Sequence, residues 1–463
     1  MKKSFYTPGR LYFFPAFLPL VEIVPWLISL LGLVAAAAGF SFSGFFKKYR
    51  KMLVCFSVLC FATVAGIWIA SVPAGELGDK GSVLLNSKQF PSVVVHSAAE
   101  PSSEHRLSRF AEKWSITTKH QILSTPVIQD DLLIYGSYKG TLEAVSRQSG
   151  KAIWSLPKDT YVMSLSKDNE GNIYAGEGLH ETQIATLTSF NVKNRTVNWQ
   201  RKFIGHIESP PVIDERSNRV WMSSGPGGLW AMNKDNGDVH LHAPLGHLDS
   251  RALIYDHKVY VQAQADEDIN LTTFSALHED TGEVIWQISQ PGQPWGSPLL
   301  HQNQKMMLST TGLGQIGVQK RTDKGWAYAV GLDGEIIWQT ELPGMALQPG
   351  IYIPDDDLII HTMKSGEIIA LNATRGVVKW QVKAGESFMA RSTFINHLQI
   401  PMIASISYDG QFTIRDARTS RKITSAVIGK YSSSAPVVSG DTIYVMSAYE
   451  ITAFGGLYSL VGQ

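Results

Sequence analysis

The chain of 463 residues is 44% apolar, 10% aromatic and only 17% charged, with 40 glycines, against about 25% charge in an ordinary soluble domain. Residues 1–75 carry seven basic side chains and one acidic, Glu22, which leaves 34 basic and 39 acidic residues over 76–463, a net charge of −5 on the body. Such a body lacks the basic excess of a nucleic-acid-binding protein, and aromatic and β-branched residues spread along it exclude a disordered chain.

Two apolar stretches open the chain. Residues 11–46 are broken by Glu22 and hold Pro15, Pro19 and Pro25, whereas residues 52–72 carry no charge; Lys47-Lys48-Tyr49-Arg50-Lys51 lies between them. A crossing helix needs about 20 apolar residues, so 52–72 predicts one span. The first stretch predicts an interfacial or re-entrant piece followed by a helix over about 23–46. Ala35 to Ala38 could pass for a signal-peptide cleavage site, but the apolar region is too long for one and a second span follows it. A lipid-attachment site at Cys60 would need a small residue where Leu59 stands. Residues 1–75 are therefore expected to form a membrane anchor, an α-helical transmembrane hairpin in the lipid bilayer.

The density of basic residues in the hairpin loop places that loop in the cytoplasm and the body in the periplasm, at a bacterial inner membrane. Three basic residues in the N-terminal tail, with Lys80 and Lys88 beyond the second span, weigh the other way by number. Both cysteines, Cys55 and Cys60, fall in the second span, and a cysteine-free body suits an oxidising compartment. Glu22 is a candidate membrane site, for a proton or a partner; the plainer alternative is a carboxylate at headgroup level near Arg10.

Beyond a polar linker over 76–107 a repeat begins. Its clearest copies end in Gly150-Lys-Ala-Ile-Trp154, Gly282-Glu-Val-Ile-Trp286, Gly334-Glu-Ile-Ile-Trp338 and Gly376-Val-Val-Lys-Trp380. Weaker copies close at Trp199, Leu241 and Thr424, and Trp114 ends an isolated closing strand ahead of the first full unit. Each unit opens with a hairpin signal such as Val127-Ile-Gln-Asp-Asp-Leu-Leu-Ile-Tyr or Val437-Val-Ser-Gly-Asp-Thr-Ile-Tyr. The slots at 114, 154, 199, 241, 286, 338, 380 and 424 number eight, spaced 40 to 52 residues apart. That period with four strands per unit predicts an all-β, eight-bladed β-propeller over 108–463. The unpaired strand at Trp114 is expected to complete the last, unfinished unit.

The unit Ala144-Val-Ser-Arg-Gln-Ser-Gly150-Lys-Ala-Ile-Trp154 resembles the pyrroloquinoline-quinone-type propeller repeat, and the resemblance covers about residues 109–457. It implies tryptophans docked between adjacent blades, so Trp114, Trp154, Trp199, Trp286, Trp338 and Trp380 are expected to be structural. The superfamily includes quinoprotein alcohol dehydrogenases and the non-catalytic BamB-type scaffolds of outer-membrane protein assembly. Its enzymes imply an adjacent-cysteine disulfide over the cofactor, acidic and amide ligands to calcium, and one acid acting as base. This propeller has no cysteine and roughly 44 residues per blade, so it is closer to the compact BamB type. It departs from that type in its hairpin anchor. No cofactor and no metal is expected.

Several local patterns have plain readings. Gly312-Leu-Gly-Gln-Ile-Gly317 fits a dinucleotide fingerprint without the strand–helix context it needs. Asp355-Asp356-Asp357 occupies a hairpin turn, as do Asp130-Asp131 and Gly440-Asp441. His240 and His242, with His247 near, alternate as on a surface strand and lack zinc-ligand partners at a suitable spacing. Trp221, Trp230, Trp295 and Trp326 lie outside the repeat slot, where an exposed subset would form a binding hot spot. The longest spacing, 52 residues, carries an insertion over 310–324. Lys320, Arg321, Lys324 and Trp326 are therefore the candidate partner contacts. The function expected is a non-enzymatic scaffold or interaction module of a cell-envelope complex, with membrane or periplasmic protein partners and no nucleic acid. The alternatives are a quinone- or other cofactor-dependent membrane oxidoreductase, and a ligand sensor signalling through the hairpin.

Overall fold

The computed structural model describes residues 82–85, 94–95, 109–265, 268–314, 323–397 and 400–462. The two apolar stretches, Glu22, Lys320 and Arg321 lie outside the described residues. Among the described residues no helix is long and apolar enough to cross a membrane. The chain divides into two units, Met1–Ala74 and Gly75–Gln463, and the described residues all belong to the second.

Among the described residues eight antiparallel sheets follow one another in chain order as the blades of a propeller, six of four strands and two, blades 1 and 2, with a fifth strand added at the outer edge. Blade 6 shows the plan, with strands Ile351–Ile353, Leu358–Thr362, Glu367–Asn372 and Val378–Lys383 running from the inside outwards. The second strand is buried at every position, because neighbouring blades cover both its faces. The outermost strand alternates between exposed and half-buried residues, the period-2 pattern of a sheet with one wet face. Eight apolar clusters hold the ring, one between each pair of adjacent blades; Leu187, Trp199 and Phe203 of blade 2, for example, meet Val220, Met222 and Met232 of blade 3.

The ring closes on itself. Ala111–Thr117 pairs with Glu450–Gly455, setting Trp114 opposite Ala453, and so supplies the outer strand of blade 8. Closure leaves no open flank between first and last blades. Arg147 Nη1 donates to Ser439 Oγ at 2.8 Å and Ala435 N to Thr125 Oγ1 at 3.0 Å across that junction.

The repeat has a physical basis. The alanine of each clear unit pairs with its tryptophan, as in Ala144↔Trp154, Ala276↔Trp286, Ala329↔Trp338 and Ala370↔Trp380, and a β-bulge follows directly. The small partner leaves room for the indole, and the bulge turns it towards the next blade. There the indole N–H donates to a backbone carbonyl: Trp114 to Arg147 at 3.0 Å, Trp199 to Lys234 at 2.9 Å, Trp286 to Leu332 at 2.9 Å, Trp338 to Ala373 at 3.0 Å and Trp380 to Ala417 at 2.9 Å. The glycine of the receiving blade lies against the ring. At Gly150, Gly237, Gly334 and Gly376, φ is +70 to +94° and a Cβ would fall 2.6–2.9 Å from the indoles of Trp114, Trp199, Trp286 and Trp338. Both reasons demand glycine.

Trp154 keeps the burial, at 1% exposure, but its Nε1 finds no acceptor, and Arg195 stands at φ +56° in the glycine slot. Where Leu241 replaces tryptophan, the receiving carbonyl of Glu279 accepts from Arg219 Nη1 at 3.0 Å instead.

Two segments depart from the sequence reading. Ser82–Leu85 pairs with the outer strand of blade 2 and Val94–Val95 with that of blade 1, so the span read as linker contains sheet. Its short apolar runs find outer edges that would otherwise be unpaired. The insertion over 310–324 is in part an ordinary hairpin, because Met306–Leu313 and Lys324–Gly331 are paired throughout and Thr310 and Thr311 are 1% and 0% exposed. Only its middle, 315–322, lies outside the described residues.

Candidate functional site: a histidine–carboxylate cluster beside the axial channel

The segments that link one blade to the next converge on the ring axis. They line a cavity of about 310 Å³ to which every blade contributes, among them Thr125, Met163, Pro210, Arg251, Pro349 and Ser433. Beside it a smaller pocket of about 100 Å³ is lined by His180, His247, Asp249, Gln264, Gln293 and Trp295.

Two of the links share a local pattern. Gly205-His206-Ile-Glu208-Ser joins blades 2 and 3, and Gly246-His247-Leu-Asp249-Ser joins blades 3 and 4, 41 residues later. Both glycines have positive φ, +94° and +84°. They end the outer strand with a turn that brings the following histidine to the rim. His180 comes from the turn between the strands Asn172–Glu177 and Ile184–Asn191 of blade 2.

These side chains meet. Asp249 bridges two imidazoles, its Oδ1 3.0 Å from His206 Nε2 and its Oδ2 2.8 Å from His247 Nε2. His180 Nδ1 lies 3.3 Å from His206 Nε2, 3.3 Å from Glu208 Oε1 and 3.9 Å from Asp249 Oδ2. The three ring centroids are 5.1–5.6 Å apart. His206 is buried, its Nδ1 is without a hydrogen-bond partner, and its ring covers Gly225 so closely that a Cβ there would meet Nε2 at 2.5 Å.

The electrostatics are those of a compact ion cluster. The hydrogen bond to Glu208 pushes the His180 imidazole up to about 9; burial opposes this, and the charges of Glu208 and Asp249 add to it. Burial alone would raise the Asp249 carboxyl, but hydrogen bonds and charge from His206 and His247 hold it well below the usual carboxylate range. One group of three imidazoles and a carboxylate thus presents ligand atoms all within 4.8 Å of one another, and Glu208 stands next to it.

The channel lining carries two cations alongside the acids Glu208 and Asp249. Arg251 and Arg391 both line it, and no ion pair holds either among the described residues. Burial, with the neighbouring Arg391 charge, pulls Arg251 down to about 10, and burial lowers Arg391. The quinone–calcium centre of the dehydrogenases does not fit this lining: its acids, Glu208 and Asp249, face imidazoles, and Gln348 supplies its amide. No step is assigned to such a cofactor.

Sequence-predicted residues fall in other places. Trp154 and Trp199 are buried in the blade interfaces, and Trp114, Trp286, Trp338 and Trp380 are half-buried there. Trp221 and Trp230, considered for an exposed hot spot, are 1% exposed and belong to the core. Trp295 borders the histidine cluster, Trp326 is half-buried in blade 5, and Lys324 is exposed two residues before it. His240, His242 and His247 do not act together. His242 stacks on Trp230 with ring centroids 3.7 Å apart, His240 is exposed, and His247 joins two histidines that the sequence reading passed over. The doubled Gly-His-x-acid-Ser pattern at the repeat spacing was a signal for His206, whereas nothing local marks His180. Asp357 serves its turn, accepting from Asn372 Nδ2 at 2.8 Å and Thr374 Oγ1 at 2.9 Å.

Comparison with known proteins agrees with this architecture. A family model described as outer membrane protein assembly factor BamB matches residues 111–288. The outer membrane protein assembly factor BamB of Moranella endobia (strain PCIT) is 24% identical over 353 residues, 70% of this chain and 82% of the relative. The crystal structure of BamB from Moraxella catarrhalis superposes with a TM-score of 0.53 at 14% identity, covering 75% of this chain and 99% of that one. Quinohemoprotein alcohol dehydrogenase from Comamonas testosteroni gives 0.51 at 9% identity, covering 76% and 77%. At such identities the solved structures show the fold alone. The repeat, the family model over 111–288 and the curated relative together support a propeller of the pyrroloquinoline-quinone-like type.

Proposed function

We propose that this protein is an inner-membrane-anchored periplasmic β-propeller that serves as a non-enzymatic scaffold or interaction module in a cell-envelope protein complex. The observation that carries the reading is the similarity to an outer membrane protein assembly factor along 70% of the chain. Three features support it. The apolar stretches at 11–46 and 52–72 suit an anchor, the cysteine-free body suits an oxidising compartment, and the compact blades spend few residues on loops. Its partners are membrane or periplasmic proteins, with the bilayer holding the anchor; Glu22 is the candidate membrane site of that anchor.

The contact residues we assign are Lys320, Arg321, Lys324 and Trp326, of which Lys324 and Trp326 belong to a paired strand of blade 5 and Lys320 and Arg321 lie outside the described residues. Replacing residues 315–322 by a short Gly-Ser turn keeps that pairing intact. Photo-cross-linking from position 324 in native membranes is expected to capture a discrete protein partner. Shortening this segment is expected to abolish that product while the propeller still folds. Unchanged capture from the shortened protein would remove the assigned role of the segment.

A further inference from the structure

We propose that His180, His206, His247 and Asp249 form a binding site for one divalent transition-metal ion, zinc by its ligand chemistry, which ties blades 2, 3 and 4 together at the rim of the channel. The proposal is independent of the scaffold reading.

Geometry is the first argument. Four ligands at 2.0–2.1 Å around a tetrahedral centre lie about 3.3 Å apart. Here the corresponding separations are 2.8 Å for His247 Nε2 to Asp249, 3.0 Å for His206 Nε2 to Asp249, 3.3 Å for His180 Nδ1 to His206 Nε2 and 3.9 Å for His180 Nδ1 to Asp249. These four separations, taken through either oxygen of Asp249, lie within about 0.6 Å of that spacing, and all the ligand atoms lie within 4.8 Å of one another. Hydrogen bonds hold them in the metal-free arrangement, and a cation would take the place of those bonds by drawing the same side chains together.

Ligand chemistry is the second. Imidazole nitrogen selects zinc, copper or nickel over calcium and magnesium, which prefer all-oxygen sites. A lone histidine pair would be commonplace, but three rings and a carboxylate brought together from three different chain segments are not a by-product of one strand's alternation. The doubled Gly-His-x-acid-Ser link supplies two of the histidines and both acids from equivalent places in successive blades. The third histidine, His180, is half-exposed, with 50% of its side chain accessible. The adjoining pocket of about 100 Å³ gives the ion a route from solvent.

The surroundings also set the strength. The far nitrogen of a metal-bound imidazole ordinarily donates to an acceptor, and losing such a partner weakens binding by about 10–100-fold. His206 Nδ1 is buried without one. The site is therefore expected to hold zinc reversibly, as a clamp on the ring rather than as a condition of its folding. Glu208 and the pocket leave room for a further ligand.

The test uses the full-length chain purified in mild detergent, with its affinity tag removed and metal stripped by a chelator. Titration with zinc chloride is expected to show one equivalent bound and a rise in Tm. Cobalt(II) in its place is expected to give the intense visible absorption of a tetrahedral centre. His247→Ala and His180→Ala should each weaken zinc binding at least tenfold, while His242→Ala, on the neighbouring strand, should leave it unchanged. His180→Ala removes a half-exposed ring, so it tests the site even if His206→Ala or His247→Ala fails to fold. Zinc affinity that is the same in wild type, His180→Ala and His247→Ala, or the absence of saturable binding in the wild type, would overturn the assignment.

Discussion

The outer wall of the ring and its inner rim are built on opposite principles. The wall repeats one device: an alanine opposite a tryptophan, a bulge, and an indole that reaches a carbonyl and lies against a glycine of the next blade. The rim varies from link to link. Its segments carry histidine and acid at the two junctions flanking blade 3, arginine beside one of these (Arg251) and at the blade 6–7 junction (Arg391), and proline, serine or methionine elsewhere. The wall therefore carries closure and stability, shared over eight interfaces. The rim carries chemistry that depends on a few side chains occurring once.

The largest expected effect lies in the wall. Trp199 is 3% exposed, packs in the apolar cluster between blades 2 and 3, and donates to Lys234 O. Trp199→Ala should lower unfolding stability by about 3–5 kcal/mol, the range for removing a buried aromatic, measured by chemical denaturation. A cost below about 1 kcal/mol would mean that the seam does not hold the ring and that the contrast with the rim is wrong.

The next effect tests whether the wall is chemically inert. His361, in the second strand of blade 6, is 2% exposed with its Nδ1 unpartnered, and burial pulls it down to about 4. Its folded value is below the ordinary 6.5. From pH 6.5 down to about 4 the unfolded chain therefore takes a proton that the folded chain refuses, and stability falls with falling pH. The contribution is complete above that window and lost within it, on the order of 3 kcal/mol at about 1.4 kcal/mol per pH unit. His361→Leu should flatten the fall in unfolding midpoint across this window relative to wild type. Parallel pH curves for the two proteins would show that the burial of His361 does not couple to acid stability.

The same contrast explains what could be read from the sequence. Blade number, ring closure at Trp114 and the positions of the seam tryptophans were legible because period and composition report them: a residue type returns at a fixed interval when the same contact returns. The linker strands Ser82–Leu85 and Val94–Val95 were not, since two or three apolar residues in a polar stretch become strands only when an edge is offered, and that edge is distant in the chain. The histidine cluster was hidden for a related reason. His180 and His206 are 26 residues apart and His247 is 41 further on, so no local spacing joins them; only the ring does. Trp221 and Trp230 failed as surface candidates because departure from the repeat slot says nothing about exposure when the second and third strands of a blade are covered on both faces.

The smallest effect asks how strictly the seam device is coded. At Leu241 the tryptophan is missing, yet Gly282 is retained with its Cβ position 3.0 Å from the leucine, and Arg219 Nη1 donates to Glu279 O while Nη2 pairs with Asp280 at 2.8 Å. The guanidinium thus satisfies the carbonyl that an indole would take in the standard seam. Leu241→Trp alone should therefore cost about 1–3 kcal/mol, since the larger ring enters a packed site beside Arg219. Arg219→Ala alone should cost about 1 kcal/mol, through a lost hydrogen bond and a partly exposed ion pair. In the double variant the indole regains the Glu279 carbonyl, so the two losses should compensate, with a coupling of about 1 kcal/mol or more in a double-mutant cycle. Additivity within about 0.5 kcal/mol would mean that arginine and tryptophan do not compete for one acceptor. The departure at Leu241 would then be a change of packing, with no substitution of one donor for another.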